Sequence, residues 1–432
     1  MDHNFEIPLY SMIPFILMLG SIAVSPILAH HFWESNKNKL IISLILGIPM
    51  SIWLIGVGLL HNLEHTLLFD YIPFIILLGA LFVITGGIFV EGTIKPSPKI
   101  NTLILAIGTV FASFMGTTGA AMLLIRPIIQ ANKIRKNTTH MILFFIAIVA
   151  NCGGILTPLG DPPLFMMYLR GAPFEWFFSL FPEWLVINII LLSTFYIYDV
   201  IVFKSENIDL NNLMMNDNKP IRIKGNLNFL WLLGVILSVA FINPKIMPFI
   251  KEGTFSTYLR EAMILLMALL SLRFTKHTVR EANNFSWEPI IEVAYLFLGI
   301  FITMVPCLLY LETHAKTLGI DTPQLFYYTT GGLSSFLDNT PTAVTFHSLA
   351  KGLAGGIGEG FVAGISVELL RAISLGAVLF GSMTYIGNGP NFMVKAIAES
   401  QNIKMPDFFA YMYKFSLIVL LPIFIIIQLI FI

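Results

Sequence analysis

A chain of 432 residues that is 56% hydrophobic and only 12% charged is far more apolar than a soluble globular protein, in which about 25% of residues are charged. No water-soluble fold could hide that much apolar surface, so a membrane protein is implied. The 25 basic residues balance 25 acidic ones, and no basic cluster is long enough to suggest nucleic acid as a partner.

Apolar runs of about 20 residues, the length that crosses roughly 30 Å of hydrocarbon, begin near Pro8, Leu40, Ile72, Glu183, Leu227, Tyr258, Pro289 and Pro406. The first has neither a basic leader nor a small-residue cleavage site, and reads as a retained span rather than a signal peptide. Longer, polar-interrupted units lie between these runs. In the first half, residues 1–203, a re-entrant hairpin is expected over 100–131, with Gly116-Thr117-Thr118-Gly119 at its tip, followed by a helix over 139–170 broken at Thr157–Pro163. Residues 204–226 are rich in Asn and charge and contain Lys219-Pro220, a composition that suits a cytoplasmic linker. The second half, 227–432, repeats the order: a hairpin over 323–351 with Asp338-Asn339-Thr340-Pro341 at its tip, a broken helix over 361–399, and a last span from Pro406.

The repetition extends to residues. LTPLGDPPLFM (Leu156–Met166) lies on MTYIGNGPNFM (Met383–Met393) without a gap, and ASFMGTTGAAM (Ala112–Met122) pairs with SSFLDNTPTAV (Ser334–Val344) at nearly the same relative spacing. Polar, helix-breaking residues at corresponding depths of two halves point to a secondary transporter, because unwound backbone at membrane depth survives only where it lines a site. An odd number of crossings in each half turns the second upside down. The expected fold is an all-α polytopic membrane protein of two inverted repeats, with about ten spanning helices, two re-entrant hairpins and two broken helices. If the chain starts outside, one face collects Lys37, Lys39, Lys95, Lys99, Lys133, Arg135, Lys136, Lys204, Lys219, Arg222, Lys224, Arg273, Lys276, Arg280, Lys395 and Lys404. The other holds Arg170, Lys245, Lys251, Arg260, Lys316 and Lys351. The positive-inside rule makes the crowded face cytoplasmic, in a cell (inner) membrane, with both termini outside.

A desolvated cation needs about six oxygen donors, supplied by unwound carbonyls, hydroxyls, amides and carboxylates. The tips and breaks offer Thr117, Thr118, Asn151, Thr157 and Asp161 in the first half, and Asp338, Asn339, Thr340, Thr384, Asn388 and Asn391 in the second. Any single Thr or Asn here is equally readable as a helix cap. Asp161 and Asp338 are the sharpest pair, because an ionised carboxylate in hydrocarbon is normally protonated, paired or on a substrate path. A carboxyl held between burial, which favours its neutral form, and a bound cation, which favours its charged form, exchanges a proton for an ion. A cap at a half-helix start is the competing reading, more credible for Asp161, beside Pro162-Pro163, than for Asp338. Accessory charges are Arg126, which could pair with a site carboxylate or reach the membrane edge, and Glu292, which is a proton relay or an interfacial acid. Glu368 and Arg371, three apart, are expected to neutralise each other. Cys152 and Cys307 read as buried hydrophobes, the histidines have no ligand spacing, and no transition metal, cofactor or enzymatic activity is expected. A membrane-embedded hydrolase lacks both a His/Glu metal spacing and a nucleophile pair.

With Thr157-Pro158-Leu159-Gly160-Asp161-Pro162-Pro163 in the first break, DNTP at the second tip and GNGPN in the second break, nearly the whole chain resembles the ion-transporter superfamily, and within it the NhaD type of sodium/proton antiporter. The resemblance implies inverted repeats with two re-entrant hairpins, assembly as a homodimer in the lipid bilayer, and transport of sodium and protons. The superfamily's citrate and dicarboxylate carriers typically place Ser-Asn-Thr at each tip, where this chain has Gly116-Thr117-Thr118 and Asp338-Asn339-Thr340. The added acids favour a cation site over an anion site. The function expected from the sequence is therefore exchange of sodium or lithium for protons by alternating access. The alternative is a sodium-coupled citrate or dicarboxylate transporter, for which Arg126 is the one cationic candidate near the tips.

Overall fold

The computed structural model describes residues 6–206, 220–251 and 254–432; the middle of the expected linker, 207–219, lies outside them. Among the described residues, nine helices are long and apolar enough to cross a membrane, and Leu227–Phe241 is a shorter apolar helix. The eight apolar runs read from the sequence fall on that shorter helix and on seven of the nine. The remaining two are Pro98–Met115 and Thr139–Leu156, which the sequence assigned to a hairpin leg and to a broken helix. Strands among the described residues are confined to two short antiparallel pairs, β1 (Phe89–Glu91) with β2 (Arg222–Lys224), and β3 (Phe361–Val362) with β4 (Ile365–Ser366).

The principal helices are α1 (Ile13–Leu28), α2 (Asn36–Gly56), α3 (Ile72–Thr85), α4 (Pro98–Met115), α5 (Thr117–Ala131), α6 (Thr139–Ile148), α7 (Pro162–Leu169) and α8 (Phe181–Ser205) in the first half. The second half holds α9 (Leu227–Phe241), α10 (Tyr258–Phe274), α11 (Glu288–His314), α12 (Pro323–Ser334), α13 (Asn339–Ala354), α14 (Val367–Phe380), α15 (Gly389–Ser400) and α16 (Leu421–Phe431). The α4–α5 and α12–α13 pairs start alike. Ser97 caps α4 by accepting from the Ile100 N–H at 3.3 Å, and Thr322 caps α12 by accepting from Leu325 at 3.3 Å. Each cap precedes a proline at the first helical position, where no N–H is needed. The second broken helix starts later than its expected bound of 361, because Ala363 and Gly364 adopt φ 54° and 75° and turn β3 back on β4. Ser366 then caps α14.

Ile41, Ile45, Ile48, Ile52 and Ile55 form one exposed face of α2. Helical spacing of large exposed aliphatics fits lipid as the surrounding medium. The centre is different: 89% of Thr139–Leu156 is buried, against 22% of Leu9–Pro26, so the broken helix lies inside and the first helix at the edge. Within each half, α4 packs against Cys152–Leu156 and α12 against α14; between halves, α5 meets α15 and α7 meets α13. These reciprocal cross-half contacts bring the tips and breaks together.

Candidate functional site

Two backbone devices repeat at matching positions. Thr157 donates its hydroxyl to the Ser113 carbonyl, and Thr384 donates to the Ser335 carbonyl. Each threonine oxygen also accepts from the chain just beyond it, from Leu159 N–H at 3.2 Å in one half and from Ile386 and Gly387 N–H at 3.2 and 3.1 Å in the other. The breaks are thus tied by the same bonds to Ser113 in α4 and to Ser335 just after α12. Gly116, at φ 81°, makes the first tip; a residue with a Cβ is strained there. A Cβ on Gly160 would run into the Gly154 carbonyl, so that crossing of unwound segments admits no side chain.

These turns deliver helix starts to one point. Asp161 precedes α7, yet its carboxylate makes no capping bond to that helix. Instead one oxygen accepts from Thr117 Oγ1 at 2.8 Å and Asn388 Nδ2 at 3.1 Å, and the other accepts from Asn339 Nδ2 at 2.9 Å. Only 1% of Asp161 is exposed. Its donors come from the starts of α5, α13 and α15, one in its own half and two in the other. Asn339 is fixed because its amide oxygen accepts from Ser334 Oγ at 2.7 Å. Asn388 also donates to Asn151 Oδ1 at 3.1 Å, Asn151 donates to Asn391 Oδ1 at 2.7 Å, and Asn391 donates to the Gly381 and Thr384 carbonyls at 2.7 and 2.9 Å.

The helix-capping role expected of Asp161 falls to Asp338. It is the cap of α13, accepting from the Thr340 N–H at 2.9 Å. The Thr340 hydroxyl, next in line, is buried and makes no well-formed hydrogen bond among the described residues. Thr118 is half-buried at the first tip, and no bond joins it to the Asp161 cluster among the described residues. The accessory charges lie elsewhere. Arg126 donates to the Asn283 carbonyl at 3.1 Å, and Glu292 pairs with Lys39 at 2.8 Å. Arg371 faces Glu183 of α8 at 3.2 Å rather than the expected Glu368, which stays exposed in the first turn of α14.

Sequence reading missed a second buried cluster. Asp199, two turns before the end of α8, accepts from Arg135 Nη1 at 2.6 Å and Asn101 Nδ2 at 2.9 Å, and lies 2.9 Å from His140 Nε2. Arg135 also donates to Glu206 at 2.8 Å. This network pins the base of the α4–α5 pair to α6 and α8. A lone acid in the apolar run FYIYDVIVF was the signal for it.

Chemically, the Asp161 cluster is a dry carboxylate surrounded by neutral donors, with amide and hydroxyl oxygens from both halves within one bond of it. Among the described residues no Lys or Arg is bonded to it, so a cation or a proton is what would neutralise it. No curated protein matches the chain. The apolar helices and the broken segments accord with what a whole-chain comparison finds: this is a multi-pass membrane protein of the transporter family described as "Putative citrate transport", whose model matches residues 4–432.

Proposed function

We propose that the protein is a cation-coupled secondary transporter of a citrate-class carboxylate, working by alternating access. The observation that carries the coupling is Asp161, whose two oxygens are gripped from both halves by Thr117, Asn388 and Asn339. A sodium ion or proton there compensates the carboxylate, and its loss leaves a buried charge that destabilises the closed arrangement of the halves. The family description supports the cargo. The starts of α5, α13 and α15 meet at the same point, and their positive dipole ends favour a substrate carboxylate once Asp161 is neutralised. The arrangement we infer is two inverted repeats with re-entrant α4–α5 and α12–α13 hairpins, in the cell membrane as a homodimer with both termini outside.

Exchange of sodium or lithium for protons is the second reading. It is favoured by the same carboxylate and by Arg126, which bonds a carbonyl instead of supplying positive charge at the tips. Labelled citrate uptake into proteoliposomes, with and without an inward sodium gradient, separates the two. Sodium-driven uptake supports the first; inert citrate, with a luminal pH change on adding NaCl, replaces it by the second.

Thr117 and Asn339 each hold one oxygen of Asp161. Thr117→Ala and Asn339→Ala are therefore expected to raise the half-saturating sodium concentration about tenfold or more, the worth of one hydrogen bond to a charged group. Thr118→Ala should change it by less than about twofold. A larger effect at Thr118 than at Thr117 would contradict this geometry.

A further inference from the structure

A second feature sits at the far end of the same helices. Helix α7 runs from Asp161 to Arg170, which follows its last residue; at 1.5 Å per residue these eight residues span about 12 Å. Helix α13 runs beside it from Asn339 to His347 and Lys351. Arg170, His347 and Lys351 line one cavity of about 810 Å³, together with Asp70, Tyr168 and Arg260. The cavity and the Asp161 cluster thus share two walls.

Most cations around this cavity are already answered. Lys245 meets Glu175, Lys351 meets Glu312 at 3.0 Å, and Arg260 meets Glu261 and donates to Tyr168 Oη at 3.2 Å. Arg170 is the exception. Among the described residues its ion-pair partner is Asp70, 3.6 Å from Nη2 and too long for a hydrogen bond. Among the described residues its Nε and Nη2 are buried with no hydrogen-bond partner. Those two nitrogens are one edge of the planar fork that a carboxylate accepts in bidentate fashion. Arg170 lines the cavity with 16% of its side chain exposed, so a turn of the guanidinium away from Asp70 would let a ligand carboxylate supply the two oxygens that the protein leaves unmade. The corresponding position of the second half, reached by the same alignment that sets Asp161 on Asn388, is Ile397. Arg170 is therefore no part of the duplicated machinery.

Resting on the carboxylate reading above, we propose that this cavity is a loading site in which Arg170 captures one carboxylate of a di- or tricarboxylate before it moves to the Asp161 cluster. Asp70 is the internal competitor for the same guanidinium. The two residues then act with opposite signs on substrate affinity. Purified protein in proteoliposomes, assayed for labelled citrate uptake and for citrate binding by calorimetry, tests this with Arg170→Gln, Arg170→Lys and Asp70→Asn. Arg170→Gln is expected to raise the half-saturating citrate concentration about tenfold or more, the loss of a charge-assisted pair, with maximal rate largely kept. Lysine restores part of the loss, since it keeps charge but not the fork. Asp70→Asn is expected to lower half-saturation severalfold.

If Arg170→Gln does not survive size-exclusion chromatography, the Lys and Asp70 variants decide. Unchanged citrate affinity in Arg170 variants, or weaker affinity in Asp70→Asn, overturns the loading site and leaves Arg170–Asp70 as a structural contact. A wild-type protein that neither binds nor takes up citrate or a dicarboxylate, yet moves sodium against protons, is a different result: it defeats the carboxylate reading and this site with it.

Discussion

Asp161→Asn is expected to abolish sodium-coupled transport, lowering the rate at subsaturating sodium at least a hundredfold, while the protein still inserts and purifies as a folded species. The size follows from removing the charged partner of a buried ion, which costs about 3–5 kcal/mol, or roughly two to three and a half decades in affinity. The geometry adds a second penalty. One Asp161 oxygen accepts from Asn339 Nδ2, and the Asn339 amide is oriented by Ser334. An asparagine at 161 that kept its oxygen toward Thr117 and Asn388 would point its own N–H groups at that donor. Folding should survive, because asparagine stands at the matching break, Asn388. Asp338→Asn is the internal control: the amide oxygen can still cap α13 at Thr340, so coupling should fall far less. Sodium-dependent uptake or proton movement measured side by side in the two variants checks the claim. Comparable losses at both positions would mean that Asp338 carries the ion as well, and wild-type coupling in Asp161→Asn would remove the cation assignment altogether.

The asymmetry between those two acids marks where sequence stops being informative. The alignment of Leu156–Met166 on Met383–Met393 already places Thr157 against Thr384 and Asp161 against Asn388, and the structure gives both threonines the same carbonyl partner in their own hairpins. Repeated residues make repeated local bonds, which is why the tips and breaks were readable. What each acid does there was not. Asp161 and Asp338 both precede a half-helix, and which of them caps depends on whether donors from another segment come within about 3 Å. That is settled by packing between halves, and periodicity carries no record of it. The same cause moved Arg126 to Asn283, Glu292 to Lys39 and Arg371 to Glu183: each partner is remote in sequence, and packing decides which one a long side chain meets. Arg170 escaped notice because a basic residue after an apolar helix reads as an edge marker until the cavity beside it is seen.

Asp199→Ala is expected to produce the largest loss of stability of any single change in the first half outside the tips. Asp199 is fully buried, and the side chains that converge on it come from three places: Asn101 near the start of α4, Arg135 after the end of α5, and His140 in α6. Removing the carboxylate leaves the Arg135 guanidinium with Glu206 as its remaining carboxylate partner, at a site where neither Arg135 nor Asp199 side chain is exposed. Breaking a buried pair from one side costs about 3–5 kcal/mol, because the partner charge stays behind. Asn101 and Asn132 keep their own mutual bonds at 3.1 and 2.8 Å, so the base of the hairpin loosens without unravelling. The change should therefore lower the melting temperature in detergent by many degrees and reduce the fraction that purifies as one species. Asp199→Asn, which preserves an acceptor for Asn101 or His140 but not the charge, should fall between Ala and wild type. Because this cluster shares no bond with Asp161 among the described residues, the surviving folded fraction should retain the wild-type half-saturation for sodium. A normal melting temperature in Asp199→Ala would show that the network is marginal to stability. A shifted sodium response in folded protein would show instead that the hairpin base and its tip are coupled.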